Sequence, residues 1–569
     1  MTVSSATSGT SSTKSSSSSS SSSSSVTTSG TSTTSSIDWT GLIDSAVNAK
    51  LTQATQIQTK ITANQAKISA YQTLQTNLST LSSGLASLAT SVVNSLATNV
   101  FATRAATLSS TGDVSASSAL SMSVNSGAAT GDHTLTISQI ATAQKVAGSS
   151  QSSQTTALGY SGTFTLGLSG GSTTSITVTS SMTLQDVADA INAQTSTTNV
   201  QASILQVSTG SYELVLTGTQ DAANITYSST SGDDILNKLG VTDSSGAFST
   251  VLQTAQAANF TLDGVSLTRD TNDVSDVLSG VTFNLLQATP SGTSIDVSIG
   301  TDTSQIQSAL QTFVTNYNAF RDAVIAQQAT NSDGTASSSA VLFGDGTMRD
   351  IMNQLQSVLS TSVGGMTMAD LGLSFNSKNE LQLDTGTLST ILSTNLSGVT
   401  ALLSAQTTTS SSQLSVVNTG TSPQSFTLDV AVDSSGNLTS ASVGGDSSLF
   451  TISGNTIIGN SGTIYAGMAF TYTGSTSQSI TVTSTQGLAT QIYQLAKDAS
   501  GTSGSLQTLI DNLTSQDDTM TSKVNDIESA ASTYKAQLQT QYAKYQAAIQ
   551  SANNTLTYLK ALLNVNSSN

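Results

Sequence analysis

The chain has 569 residues and a formal net charge of −17, from 16 Lys+Arg against 33 Asp+Glu. Such an acidic chain is not expected to bind nucleic acid or an anionic membrane surface, because both require basic patches. The sequence has no cysteine and a single histidine, which excludes disulfides, thiolate catalysis and the zinc motifs built from Cys or from pairs of His.

The first 36 residues form a low-complexity Ser/Thr tract, with unbroken serine from Ser15 to Ser25. The tract contains no apolar cluster that a fold could bury, so residues 1–36 are predicted to be a disordered leader. It lacks the basic and apolar regions of a cleaved signal peptide. No segment of the sequence approaches the run of about 18 apolar residues that a membrane span requires.

Residues 37–104 are predicted to form a coiled-coil helix, the N-terminal half of a leg. From Ile57 onward the apolar residues recur at steps of three and four over about five heptads, which is the spacing of a coiled-coil seam. The residues expected to mediate pairing or self-assembly in this segment are Leu42, Ile43, Val47, Ile57, Ile61, Ile68, Leu74, Leu78 and Leu81.

The same spacing returns in residues 488–569, which are predicted to form the C-terminal half of the leg and to pair with the N-terminal helix. The expected assembly residues here are Tyr545, Ile549, Leu556, Leu559 and Leu563. Their partner is expected to include Leu42, Ile43 and Val47. Two interpretations stay open: the stripe is either ordinary core, or it remains partly exposed until subunits assemble.

The middle of the chain is predicted to be β-rich with a helical interruption. Alternating apolar and polar residues between Gly, Ser, Asn and Asp turns indicate a β-rich head over 105–300, with two subdomains. Helical spacing returns in 301–410, predicted to be a helical core domain with a hairpin at 373–383, and 411–487 is predicted to be a β-rich insertion. The fold class is therefore α+β and multidomain, with a coiled-coil leg formed by both termini, a mixed helical core and β-rich head domains.

No sequence motif predicts catalysis, a cofactor or a metal. His133 opens a predicted strand after a turn, where an ordinary surface histidine is expected rather than a member of a catalytic triad. The aspartates of 270–276 lack the Gly and Glu of a helix–loop–helix calcium site and are predicted to be a turn with helix-capping aspartates. The glycines at 344–346 and 364–365 lack the Lys-Ser/Thr of a phosphate-binding loop.

Several motifs together resemble the flagellar filament cap proteins, the flagellar hook-associated protein 2 family. The similarity is distributed over about 37–405 and, more weakly, 488–569. The segments that carry it are Ile37–Ile43, Gly131–Lys145, Asn259–Val265, Val277–Phe283, Phe313–Asn318, Gly344–Arg349 and the hairpin Leu371–Phe375 with Leu381–Asp384. The length of the serine tract and the 411–487 insertion depart from the family pattern.

This resemblance implies a structural role at the distal end of a bacterial flagellar filament. Members of the family promote the insertion and polymerisation of exported flagellin, so filament growth and motility depend on them. The resemblance also implies a pentamer-like homo-oligomeric ring, with flagellin, the hook-associated junction proteins and an export chaperone as partners. It further implies an extracellular location, reached through the flagellar type III export channel without a cleaved signal peptide.

Two other classes of protein remain as alternatives. A flagellin or a hook–filament junction protein would share coiled-coil termini and a β-rich middle, but the hairpin at 371–384 favours the cap. A secreted adhesin would account for the Ser/Thr-rich composition, but not for heptads at both ends of the chain.

Overall fold

The computed structural model describes residues 38–91, 98–112, 114–420 and 425–566, so the predicted leader 1–36 lies outside the described residues. The chain divides into two compact units. The described residues of the smaller unit are 38–62 and 516–566, and the larger unit lies within residues 63–515.

Helices of very different length alternate with short strands along the chain. The α-helices, in chain order, are α1 (Trp39–Ala89), α2 (Ala116–Ala119), α3 (Leu184–Asn192), α4 (Thr195–Thr198), α5 (Ile235–Lys238), α6 (Thr303–Ala326), α7 (Gly346–Leu359), α8 (Thr385–Thr394), α9 (Leu396–Leu403), α10 (Leu488–Ser500) and α11 (Ser505–Asn566). Within the described residues, 3-10 helices span Met368–Leu371 and Ser447–Leu449.

The strands in the part of the chain that the structure describes form seven small sheets rather than one large one. Those before α6 are β1 (Arg104–Ser110), β2 (Leu120–Val124), β3 (Gly131–Gln139), β4 (Lys145–Ala147), β5 (Gly162–Leu168), β6 (Thr173–Val178), β7 (Val200–Ser208), β8 (Ser211–Gly218), β9 (Ile225–Gly232), β10 (Thr250–Gln253), β11 (Ala258–Leu262), β12 (Val265–Arg269), β13 (Asp273–Val274), β14 (Val281–Leu285) and β15 (Ile295–Thr301). Those after α6 are β16 (Leu373–Phe375), β17 (Leu381–Leu383), β18 (Gln406–Thr409), β19 (Leu414–Thr419), β20 (Phe426–Val432), β21 (Leu438–Ser442), β22 (Phe450–Ser453), β23 (Thr456–Gly459), β24 (Met468–Tyr472) and β25 (Gln478–Thr485). Long helices with separate small sheets confirm the predicted α+β multidomain class.

The larger unit contains a helical core that uses the second half of α1. Leu74, Leu78, Leu81, Leu85 and Leu88 are each at most 1% exposed and pack among side chains of α6 to α10 and the first turns of α11. The sequence placed this half of α1 in the leg. The spacing of three and four reveals that a helix buries one stripe, but it does not reveal what covers the stripe.

A buried polar contact fixes α1 to α7 within this core. The hydroxyl of Tyr71 donates to Asp345 Oδ2 at 2.7 Å, while Asp345 Oδ1 accepts from the Met348 backbone N–H at 3.0 Å and so caps α7. Burial, and next the hydrogen bond to Asp345, raise the pKa of Tyr71 well above its ordinary value. Asp345 belongs to the Gly-Asp-Gly turn that opens α7, which is therefore a capping element of the core.

The predicted hairpin and helices of the 301–410 region are present, with one difference. β16 and β17 pair antiparallel with Leu373 opposite Leu383, as predicted. The helical spacing of Leu388–Leu403 belongs to two helices rather than one, α8 and α9, which meet at Asn395. Asn395 has a non-helical backbone, and its side chain accepts from the Gly398 N–H at 3.0 Å, so it caps the start of α9.

The region 105–300 contains two separate hydrophobic cores. One lies between the sheet β1-β15-β3-β11-β12 and the sheet β13-β14-β2. The other lies between β10-β4-β8-β7 and β6-β5-β9 and is closed by α3. The chain enters the second assembly at β4 and leaves it after β10, so the second is inserted between β3 and β11 of the first.

His133 lies on β3 and pairs with the turn that joins β11 to β12. Its Nδ1 is 2.8 Å from Asp263 Oδ2, and Asp263 Oδ1 accepts from the Thr134 N–H at 2.9 Å. The contact to His133, and next the Thr134 N–H, lower the pKa of the Asp263 carboxyl. Asp263 has φ 51° and precedes Gly264 with φ 81°, which is the backbone of a tight hairpin turn. The histidine thus ties a turn to a neighbouring strand.

The aspartates of 270–276 do not cap a helix, in contrast to the prediction from the sequence. Asp273 and Val274 form β13, and Asp276 accepts from Arg269 Nε at 3.0 Å through both of its oxygens. The alternation of polar and apolar residues in 270–276 is too short for the sequence to distinguish a two-residue strand from a turn that caps a helix. No described group of three or more Asp, Glu or His side chains is arranged to hold a metal ion.

Residues 406–485 form a sandwich of two four-stranded sheets, β18-β25-β20-β21 and β19-β24-β23-β22, with a core of their own. The two ends of this sandwich meet at the helical core, where the Gly487 N–H donates to the Ser404 carbonyl at 3.2 Å. The sequence placed the boundaries at 411 and 487, because β18 is polar and resembles a loop.

Excision of the sandwich is expected to leave the helical core folded. Because Ser404 and Gly487 already touch, a short Gly-Ser bridge replacing 406–485 can join them without strain. The far-ultraviolet circular dichroism signal of the helices and their unfolding midpoint should stay within a few degrees of the intact chain. Loss of the helical signal would show that the sandwich is part of the core.

No helix within the described ranges has the length and hydropathy needed to cross a membrane.

Candidate self-assembly surface

The smaller unit is an antiparallel pair of helices that buries a continuous apolar seam. One layer joins Ile43 and Val47 of α1 to Ala531 of α11, and these three side chains are buried. The next layer joins Ala54 and Ile61 of α1 to Val524. The apolar residues that flank the two layers are Leu51, Ile57, Met520, Ile527, Tyr534, Leu538 and Tyr542.

Polar and aromatic contacts fix the register at the start of α1. The Asp38 carboxylate accepts from the Gly41 N–H at 2.9 Å and caps the helix. Asp44 Oδ1 accepts from Lys535 Nζ at 2.9 Å, and the rings of Trp39 and Tyr542 lie 4.8 Å apart between centroids. An exposed ion pair contributes only about 0–1 kcal/mol, so the apolar seam supplies most of the pairing energy and these contacts select its register.

Beyond Tyr542, α11 continues for about 36 Å at 1.5 Å per residue with an apolar stripe that is exposed. The stripe consists of Tyr545, Ile549, Leu556, Leu559 and Leu563, whose side chains are 45–68% exposed. We call it the distal seam. At about 100° per residue, its members lie on the same side of α11 as Ile527 and Leu538, so it continues the face that binds α1.

The residues predicted from the sequence to mediate pairing or assembly fall into three groups. Ile43, Val47, Ile57 and Ile61 lie in the helix pair. The second group, in the helical core of the larger unit, consists of Ile68, Leu74, Leu78 and Leu81. The third group is exposed and consists of Leu42 and the distal seam.

Among the described residues, the distal seam does not make the expected contact with the start of α1. Ile43 and Val47 face Ala531 and its neighbours, about four turns before the first residue of the distal seam, and Leu42 is 51% exposed. The antiparallel register places Trp39 beside Tyr542, so the described part of α1 covers α11 only up to that point.

Two further exposed apolar side chains, which were not predicted from the sequence, lie off the distal seam. Tyr558 and Leu562 are 68% and 49% exposed, and at about 100° per residue they lie on a different side of α11 from the distal seam. The spacing of four residues between them is the feature of the sequence that places both on one side of the helix. An exposed apolar helix face such as the distal seam is suited to bind another apolar surface.

Family comparisons match most of the chain. Residues 255–554, more than half of the chain, match the family described as flagellar hook-associated protein 2 C-terminus. Residues 35–144 match the corresponding N-terminus family. A flagellin hook IN motif matches residues 163–220, which belong to the part of the 105–300 region built from β4 to β10.

Curated relatives carry the same description. A flagellar hook-associated protein 2 of Escherichia coli strain K12 is 29% identical over 321 residues, which is 54% of this chain and 68% of that protein. One of Helicobacter pylori strain J99 is 34% identical over 148 residues, which is 25% of this chain and 21% of that protein.

A solved structure of the D1-D2-D3 domains of the flagellar cap protein FliD from Escherichia coli aligns with a TM-score of 0.47 and 22% sequence identity. The alignment covers 78% of this chain and 99% of that one. The family predicted from the sequence motifs is confirmed by the family matches, which support the cap rather than a flagellin, a junction protein or an adhesin. The chain belongs to the flagellar hook-associated protein 2 family of flagellar cap proteins.

Proposed function

We propose that this chain caps the distal end of a bacterial flagellar filament as a closed homo-oligomer held together in part by the distal seam. The observation that carries the proposal is the exposed apolar face of α11 from Tyr545 to Leu563, which continues a seam already used for pairing. Burying one Leu side chain is worth about 1.5–3 kcal/mol, so several per subunit give a large incentive to associate.

A ring follows from the way in which this surface must be covered. The distal seam and Leu42 are different surfaces of one unit, so one copy can offer the first where the next copy offers the second. Contacts between two different surfaces produce a closed ring when the rotation from one copy to the next divides a full turn into a whole number of steps. The resemblance to the cap family makes a pentamer-like ring the expected size.

The role in this proposal is structural, without enzymatic activity. The cap promotes the insertion and polymerisation of flagellin at the filament tip, outside the cell, next to the hook-associated junction proteins during early growth. The chain travels there through the flagellar export channel with the help of a chaperone and without a cleaved signal peptide. A chain with no cysteine and only two prolines suits export in an unfolded state, because it carries no disulfides and few slow isomerisation steps.

Electron microscopy of the purified full chain tests the proposal. Closed rings are expected at micromolar concentration, and adding them to a strain that lacks its cap should restore filament growth. Long filaments from the purified chain would instead point to a flagellin. Monomers that fail to restore growth would contradict the assembly proposal altogether.

A further inference from the structure

A cavity of about 240 Å³ lies in the larger unit between α6, α7 and the loop of the β16–β17 hairpin. Its polar lining consists of Arg321, Gln328, Arg349, Asn353, Gln356 and Asn379. No carboxylate is among the described residues that line it. The cavity is smaller than the roughly 300–1,000 Å³ of a small-molecule site, so its size suits one protein side chain.

Arg321 is a buried cation with an unused donor. The residue is 7% exposed, its Nη1 donates to Asp322 Oδ1 at 2.6 Å, and its Nη2 donates to the Lys378 carbonyl. None of the described residues accepts a hydrogen bond from its Nε. A guanidinium has five N–H donors, and an unsatisfied buried donor is costly, so this side chain favours an additional acceptor at the cavity.

Arg349 brings a second guanidinium to the same cavity. Its contacts are long ones to backbone carbonyls, from Nε to Asp345 at 3.3 Å and from Nη2 to Gly344 at 3.4 Å. It makes no ion pair within the described residues. The sequence has only four arginines, so half of them line one cavity of a chain whose formal net charge is −17.

The hairpin loop adds an amide held in an uncommon backbone conformation. Asn379 has φ 61°, and the Asn376 side chain accepts from the backbone N–H groups of Lys378 and Glu380 at 2.9 Å, which fixes the loop. The cavity therefore presents two guanidinium groups and several amides on a rigid frame. Carboxylates are the acceptors that best fit the planar fork of arginine.

We propose that this cavity, the arginine pocket, binds the carboxylate of an Asp or Glu side chain from a second copy of this chain. Charge complementarity carries the choice of partner. Acidic residues outnumber basic ones by 33 to 16, so a neighbouring copy offers many carboxylates. Arg321 is already paired with Asp322, and the pocket offers such a carboxylate the free Nε of Arg321 and the guanidinium of Arg349, which has no ion pair among the described residues. The contact lies outside the distal seam, and it rests on the proposed homo-oligomer because it needs adjacent copies.

Cross-linking at the pocket tests the proposal in the full chain. The variant Arg349→Lys places a primary amine at the rim, and a carbodiimide joins that amine to any carboxylate in direct contact. Mixing copies labelled with heavy and light nitrogen before coupling shows by mass spectrometry whether the two joined peptides come from different copies. The matched control is Gln354→Lys, an exposed amine on the same helix that does not line the pocket.

The expected result is a dominant link between copies from Lys at 349, several times more abundant than any link from Lys at 354. In a second arm, Arg349→Gln should weaken association about tenfold at low salt, the scale of one partly buried charge pair. Arg349→Lys keeps the charge but loses the planar fork, so it should weaken association less than Arg349→Gln does. Links confined to one copy, links to added flagellin in preference to this chain, or equal yields at both positions would overturn the proposal.

Light scattering of the same samples separates this inference from the proposed function. Rings that persist in Arg349→Lys without a link at 349 would exclude the arginine pocket and leave the cap assembly standing. If the unsubstituted chain forms no rings, the proposed function is contradicted, and the proposal for the arginine pocket, which needs adjacent copies, is contradicted with it.

Discussion

Leu556→Asp together with Leu559→Asp is expected to abolish ring formation and filament growth while leaving the chain folded. Both leucines belong to the distal seam, and each is about half exposed, so aspartate at either position meets water in the single subunit. In a ring the same positions would have to be buried, and burying an unpaired carboxylate costs several kcal/mol. The two substitutions should therefore make the free energy of association much less favourable and leave the free energy of folding almost unchanged.

The comparison needs a variant that adds the same charges elsewhere on α11. Asn554→Asp with Thr557→Asp does this, because both residues are exposed and face away from the distal seam. Light scattering should show rings for this control and monomers for the seam variant, with the same circular dichroism for both. Cells that carry the seam variant should release unpolymerised flagellin and fail to swim. Rings formed by the seam variant would show that the distal seam is not an assembly surface.

The sequence indicated which residues are buried in a helix more clearly than which partner buries them. Leu78 and Leu556 occupy equivalent positions in heptads of similar composition, and both were assigned to one leg. The structure buries Leu78 completely in the helical core and leaves Leu556 half exposed. The spacing of apolar residues is set by the helix that contains them. The side chains that cover Leu78 come mainly from α6 to α10, which lie hundreds of residues away in the chain.

Strands were predictable where alternation and turn residues coincided. The hairpin of β16 and β17 agrees to the residue, because Leu and Phe alternate with polar residues on both sides of a short polar loop. The polar strand β18 was missed, since it has no apolar side chain to produce a period of two. The start of the sandwich was therefore placed several residues too late.

The arginine pocket could not have been found from the sequence. Arg321 and Arg349 lie on different helices. Arg321 follows the motif Phe313–Asn318, Arg349 ends the motif Gly344–Arg349, and both motifs indicate only the family. Only the packing of α6 against α7 and the position of the hairpin loop bring the two guanidinium groups to one cavity. Two residues that only tertiary packing brings together cannot be recognised from their spacing in the sequence or from its composition.

Leu78→Ala should lower the free energy of unfolding of the helical core by about 2–5 kcal/mol, the cost of removing a fully buried leucine and leaving a cavity. The side chain is completely buried among α1, the helices α6 to α10 and the start of α11, so neighbouring side chains have little freedom to fill the space. Denaturant unfolding followed by circular dichroism measures the change. The matched control is Leu556→Ala, the same chemical change on an exposed helix face.

Leu556→Ala should change the same free energy by less than about 0.5 kcal/mol when the measurement is made on dilute, unassembled chain. At ring-forming concentration its effect should appear in association instead, because the leucine is then lost from an interface. Equal losses from the two variants in dilute solution would mean that the distal seam is covered within the single chain. That result would remove the exposed surface on which the assembly proposal depends, since a seam already buried offers nothing to a neighbouring copy.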